Sequence, residues 1–167
     1  MDNTTYAGAQ MKIRKPIAEV FNAFIDPEVT VNFWFTKSSG KLETGKTVVW
    51  EWEMYGVSTK VEAVEIVPNQ KIAIRWGEPQ TNVDFNFSEL SDGSTYIDIK
   101  HYGFTEQADD LIAVIRDSTG GYTTVVDGLK AWLEHDINLN LILDKFPKKS
   151  RHIAKTRFNN FYRKTVR

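Results

Sequence analysis

Residues 40–47 read GKLETGKT and match the phosphate-loop pattern G-x-x-x-x-G-K-[ST] at every position. In such a loop, backbone N–H groups freed by glycine wrap a phosphate, Lys46 would reach the outer phosphates and Thr47 would hold magnesium. A Walker-B-like run, LIAVIRD at 111–117, places an acid at Asp117. That chemistry needs a buried strand before the loop and a helix N-terminus after it, aimed at the anion. After Thr47 comes VVWEWEM, whose alternation and β-branched and aromatic content predict a strand. Before Gly40 comes NFWFTKSS, the exit of a short helix, and no βαβ crossover connects the loop to 111–117. Gly45-Lys46 therefore reads as a turn between KLE at 41–43 and the first long strand, with Lys46 solvated.

The other chemical candidates are few. Of the three histidines, His101 falls on an inward strand row after Ile97 and Ile99. A neutral imidazole there could bind a ligand or act as a base, or it could simply fix the strand end. His135 sits in LEHD on the outer side of a helix and His152 lies in the C-terminal tail, so the three do not form a metal site. Glu51 and Glu53 share an outward row and read as a solvated face. There is no G-x-S-x-G nucleophile elbow and no inward pair of carboxylates, so no catalytic residue is assigned and enzymatic activity is not the first expectation, a cyclase- or hydratase-like reaction in the cavity being the alternative left open. With no cysteine, thiolate nucleophiles, disulfides and cysteine-based zinc sites are excluded, which fits a reducing cytosol. No cofactor is called for.

The elements that would position these residues follow from periodicity. QMKIR at 10–14 predicts a short strand. Ile17, Val20, Phe21, Phe24 and Ile25 give one apolar face to a helix led by Pro16 and ended at Asp26-Pro27. A second short helix is expected over Glu28–Phe33, leading into Phe33-Trp34-Phe35. From Lys41 to Phe104 the period changes to 2. The inward rows are Val48, Trp50, Trp52 and Met54; Val57, Thr59, Val61 and Ala63; Ile72, Ile74 and Trp76; Val83, Phe85 and Phe87; and Ile97, Ile99 and His101. With turns between them and no helix, they predict an antiparallel meander. From about Gly120-Gly121 to Phe146-Pro147, helical spacing of Tyr122, Val125, Val126, Leu129, Trp132, Leu133 and Ile137 predicts a long helix that must bury its stripe on the sheet.

The inward tryptophans admit two readings, core or the lining of a ligand cavity, and a binary pattern does not separate them. The candidate lining is Trp34, Trp50, Trp52, Trp76, Phe85, Phe87, Ile99, His101, Val125, Leu129 and Trp132.

Charge divides the chain. Eight of the 21 Lys and Arg, and none of the 22 acids, lie at 148–167, so the first 147 residues carry a net −9. The expected organisation is one domain over 1–147 and a basic extension over 148–167. Within the extension Ala154, Phe158, Phe161, Tyr162 and Thr165 fall at helical spacing. It is read as a docked or solvated end, with only weak nucleic-acid or anionic-surface binding open to it. No signal core and no apolar run long enough to cross a bilayer occur, so a cytoplasmic protein without membrane insertion is expected.

Three segments together carry a family resemblance: KPIAEVFNAFIDPEVTVNFW, HYGF and GGYTTVVDGLKAWLEHD. The chain resembles the helix-grip superfamily of START and birch-pollen-allergen-like (SRPBCC) proteins over about residues 8–146. Within it, it is similar to the branch named for the activator of heat-shock protein 90 ATPase. Tyr122 stands where that branch more commonly has tryptophan. The resemblance implies an α+β helix-grip fold. A curved antiparallel sheet of six or seven strands would grip a long C-terminal helix, with two short helices after the first strand. It also implies lipid-like, aromatic or polyketide-like ligands for some members and chaperone activation for others. A small apolar or aromatic ligand is thus the first expected partner, and a chaperone the second.

Overall fold

The computed structural model describes residues 5–147. The α+β helix-grip class is what the chain adopts. Seven strands form one antiparallel sheet: β1 (Tyr6–Ile13), β2 (Lys37–Ser38), β3 (Thr47–Trp52), β4 (Val57–Val67), β5 (Lys71–Trp76), β6 (Thr81–Glu89) and β7 (Thr95–Tyr102). Their spatial order is β1-β7-β6-β5-β4-β3-β2. The meander runs from β2 to β7, and β1 closes its far side by pairing with β7 from Tyr6↔Tyr102 to Ile13↔Thr95.

Alternation sets the faces. On β6, Thr81, Val83, Phe85 and Phe87 are buried, and on β7 so are Thr95, Ile97, Ile99 and His101. The register puts Val83 beside His101 and Phe85 beside Ile99, so the buried rows run continuously across the strands. A bulge between Ala63 and Glu65 turns Val64 outward on β4.

Two short helices follow β1. In α1 (Ile17–Ile25), the Pro16 carbonyl accepts from the Glu19 and Val20 amides, and Val20, Phe21, Ala23 and Phe24 are buried. Asp26 is extended, as expected before Pro27, and its carboxylate accepts the Glu28 amide at 3.1 Å to cap α2 (Pro27–Thr30). The long helix α3 (Ala108–His135) turns Val114, Ser118, Tyr122, Val125, Val126, Leu129 and Leu133 inward. A short α4 (Leu141–Lys145) follows.

Four expectations are corrected. The second helix stops at Thr30 rather than Phe33, because Val31 and Trp34 close onto it through turn hydrogen bonds instead of continuing it. The strand row ends at Trp52; Glu53–Tyr55 form a 3-10 turn closed by Gly56 at φ 61°, so Met54 leaves the row. The strand period begins at Thr47 rather than Lys41, and β3 pairs with β4 on one side and with Lys37–Ser38 on the other. The long helix begins at Ala108, not near Gly120, and ends at His135, where Asp136 adopts left-handed geometry (φ 54°). Ile137, counted on its stripe, is therefore outside it and 49% exposed. The basic extension lies outside the described residues.

The end of α3 is tied to the end of β1. Lys130 Nζ donates to the Lys12 carbonyl at 2.9 Å, and the Arg14 amide donates to Glu134 Oε1 at 2.7 Å. Burial pushes the Glu134 carboxyl up, but the Arg14 amide and the Lys130 ammonium outweigh it and hold the group below its ordinary 4.5. A depressed carboxylate contributes stability above its unfolded pKa and loses it as pH falls through its folded one. Glu134→Gln is expected to cost roughly 1–3 kcal/mol near neutrality, with the gap to wild type closing below about pH 4. Urea melts at a series of pH values measure it.

Candidate functional site

The site is built on the inner face of the sheet where α3 crosses it. Trp50 and Trp52 come from β3, Trp76 from β5 and Phe85 from β6, and each is at most 2% exposed. Trp34 enters from the segment after α2 and sits among them. Its ring centroid lies 4.9 Å from Trp50, 6.1 Å from Trp76, 5.9 Å from Phe85 and 6.2 Å from Tyr122 of α3. Phe35 stacks on Trp50 at 4.8 Å and meets Trp52 edge-on. These offset and edge-to-face pairs form one connected aromatic wall.

His101 closes one end of this wall. Its ring is 6.0 Å from Trp76, 5.7 Å from Tyr122 and 4.6 Å from Phe104. His101 Nε2 and Thr81 Oγ1 share a hydrogen bond at 2.8 Å, and the Thr81 hydroxyl also lies 3.3 Å from the Trp76 carbonyl. The Nε2 side of the imidazole is thus engaged by Thr81.

Two buried polar atoms in this region have no hydrogen-bond partner among the described residues: Trp34 Nε1 and Ser118 Oγ. Trp34 is 3% exposed and Ser118 fully buried. Ser118 lies one helical turn before Tyr122, on the same face of α3, and the Trp34 ring packs edge-on against Tyr122. Buried donors are nearly always satisfied, and an exception asks for an explanation.

An apolar cleft of about 250 Å³ leads to Trp34 from outside. Phe33, Thr36, Met54 and Gly128 form its walls, and residues 138–143 form its rim. Gly128 has a steric reason: a Cβ there would come within 3.2 Å of the Phe33 Cβ and carbonyl oxygen. The Tyr55 hydroxyl holds the rim by donating to the Ile142 and Phe146 carbonyls, at 2.9 and 3.0 Å. Burial pushes the Tyr55 phenol up to about 12, so it remains a donor through the physiological range. Lys145 Nζ adds bonds to the Gly120 carbonyl and Thr124 Oγ1 of α3.

Of the residues singled out from sequence, the structure gathers Trp34, Trp50, Trp52, Trp76, Phe85 and His101 into the wall. Phe87 reaches the core through Phe21 and Phe24, and Ile99, Val125 and Leu129 are buried in the same core. Trp132 is only partly buried and packs at the edge. Sequence reasoning missed Ser118, Tyr55 and Gly128. Ser118 was detectable: Val114, Ser118 and Tyr122 extend the helical stripe backward at i, i+4, i+8.

The phosphate-loop letters form a turn. Gly45 has φ 80°, its amide donates to the Ala63 carbonyl, and β3 rather than a helix begins at Thr47. Lys46 pairs with Glu43 at 2.6 Å in solvent. Asp117 lies within α3, not on a strand. Lys46→Ala is expected to shift stability by no more than about 0.5 kcal/mol and to leave any thermal response to ATP unchanged, as differential scanning fluorimetry would show.

The family model described as "Activator of Hsp90 ATPase homolog 1-like protein" matches residues 14–134. The chain belongs to that family. Solved structures agree with this placement. Protein SSP2350 from Staphylococcus saprophyticus is 28% identical, with a TM-score of 0.72 over 81% of this chain and 96% of that one. CalU16 from Micromonospora echinospora is 18% identical, with a TM-score of 0.60 over 92% and 84%. The Aha1 dimer from Colwellia psychrerythraea is 15% identical, with a TM-score of 0.68 over 79% and 98%. Below a quarter identity these likenesses concern the fold. A comparison with curated proteins gives no match. Tyr122, at the position where the branch more often has tryptophan, holds the centre of this chain's aromatic wall and makes contact with Trp34, Trp76, Phe85 and His101.

Proposed function

We propose that this Activator of Hsp90 ATPase homolog 1-like protein binds a small apolar or aromatic ligand between its sheet and α3, without catalysing a reaction on it. The observation that carries the reading is the pair Trp34 Nε1 and Ser118 Oγ, buried without a partner among the described residues inside an aromatic wall that an apolar cleft reaches. Such a lining, apolar with a few convergent polar groups, is the usual form of a small-molecule site. The described buried residues include no carboxylate and no ammonium, which supports binding over acid–base chemistry. Titration with fatty esters, flavonoids and aromatic polyketides, read by tryptophan fluorescence and native mass spectrometry, is expected to give at least one saturable complex. A complete lack of saturable binding would remove the reading.

A second reading rests on the family itself: stimulation of a heat-shock protein 90-type chaperone's ATPase. Steady-state ATP turnover by the cognate chaperone, with this protein at saturation, tests it. An unchanged rate sinks it.

A further inference from the structure

We infer that the interior site selects uncharged ligands carrying a hydrogen-bond acceptor, such as a ring ketone, quinone or lactone, and rejects carboxylates. The inference rests on the binding reading above and specifies its chemistry. Three observations carry it.

First, the indole Nε1–H of Trp34 is a donor only, so it can be satisfied by an acceptor and by nothing else. Ser118 can add a second donor. Both are more than nine-tenths buried and have no partner among the described residues. Trp34 packs against Tyr122, and Ser118 lies one helical turn before Tyr122 on α3, so the two groups belong to the same buried region and each can be met by an acceptor on the ligand.

Second, the described route is uncharged. Among the described residues, the cleft that leads to Trp34 is lined by aliphatic, aromatic, amide and hydroxyl side chains and by glycine, without one Asp, Glu, Lys, Arg or His.

Third, the described interior residues offer an anion no counter-ion. The buried polar residues are threonines, serines and His101, whose Nε2 is committed to Thr81. Glu134, the acid with the most buried side chain near α3's end, is taken by Lys130 and Arg14. A carboxylate moved here would lose its hydration with no charge to replace it, a penalty larger than its apolar body recovers. A neutral carbonyl loses far less and gains the indole hydrogen bond.

The test uses three probes of one shape: fluorenone, fluorene and fluorene carboxylate. Affinities are read by isothermal titration and tryptophan quenching at neutral pH. Fluorenone should bind up to about tenfold tighter than fluorene, the span of one good hydrogen bond, although fluorene is the more apolar. Fluorene carboxylate should bind at least about a hundredfold more weakly than fluorenone. Ser118→Ala and Trp34→Phe should each bring the fluorenone-to-fluorene affinity ratio close to one, whatever either does to the affinity for fluorene itself. Ser118→Ala is the smaller change and serves alone if Trp34→Phe fails to fold by near-ultraviolet circular dichroism. Equal binding of fluorenone and fluorene would overturn the selection while leaving the binding reading intact. So would binding of fluorene carboxylate as tight as that of fluorenone, since the site would then supply an anion with a partner. Absence of binding by all three probes would overturn the selection; the wider ligand panel then decides the binding reading separately.

Discussion

Trp76→Ala is expected to lower folding stability by about 3–5 kcal/mol, the range for deleting a large buried aromatic. Trp76 has no exposed surface and its ring meets Trp34, Trp50, His101 and Tyr122, so the loss spreads through every part of the wall. Its carbonyl also accepts the Thr81 hydroxyl that orients His101. The backbone stays, but a collapsing wall would move it. For a domain of this size the melting temperature should fall by roughly 10 °C or more. Trp76→Phe keeps a ring and should cost clearly less. Guanidinium melts of both variants decide the matter. If Trp76→Ala changes stability by under about 1 kcal/mol, the region is loosely packed, and the wall is a flexible surface, not a fixed one.

Gly128→Val should be the next most damaging change. The first added carbon would already sit 3.2 Å from the Phe33 Cβ and carbonyl oxygen, closer than relaxed contacts allow, and branching adds two more carbons. Overpacking of this kind costs about 1–3 kcal/mol. Its second effect is local. Phe33 would be pushed from α3 and would carry Trp34 with it, so ligand affinity should drop in addition to stability. Gly128→Ala should show the same two effects at a fraction of the size. Chemical denaturation together with probe titration separates them; an unchanged affinity in a destabilised Gly128→Val would mean that Trp34 is held from the sheet side alone.

Much of this arrangement was legible in the sequence, for identifiable reasons. The rows Val83–Phe85–Phe87 and Ile97–Ile99–His101 were readable because a strand's two faces differ and the alternation is strict. The first helix was readable from Pro16 at one end and Asp26-Pro27 at the other. The start of α3 was not. Gly120-Gly121 looks like a break, yet both glycines lie inside the helix. Gly121 is buried and the Gly120 carbonyl meets Lys145, so tertiary contacts outweigh their weak helix propensity. The end of α3 was misplaced because Ile137 continues the spacing after the backbone has already turned at Asp136. The candidate site was legible as a set of aromatic residues but not as a chemistry. Whether a buried indole finds a partner depends on what folds against it, and nothing near Trp34 in the sequence reveals that.

The pairing of β1 with β7 also governs how the molecule comes into being. Met11 finds Ile97, and Ala9 finds Ile99, with the whole meander lying between them in sequence. No local hairpin can supply that contact, so the loop-closure entropy of the intervening chain is lost before β1 gains anything. Folding should therefore fall in the millisecond-to-second regime typical of non-local sheets, not the microseconds of helical bundles. During synthesis β1 leaves the ribosome well before β7, the strand it pairs with. Until then a strand carrying Ile13 and Met11 waits without its neighbour, and α3, which packs along β1, has nothing complete to close on.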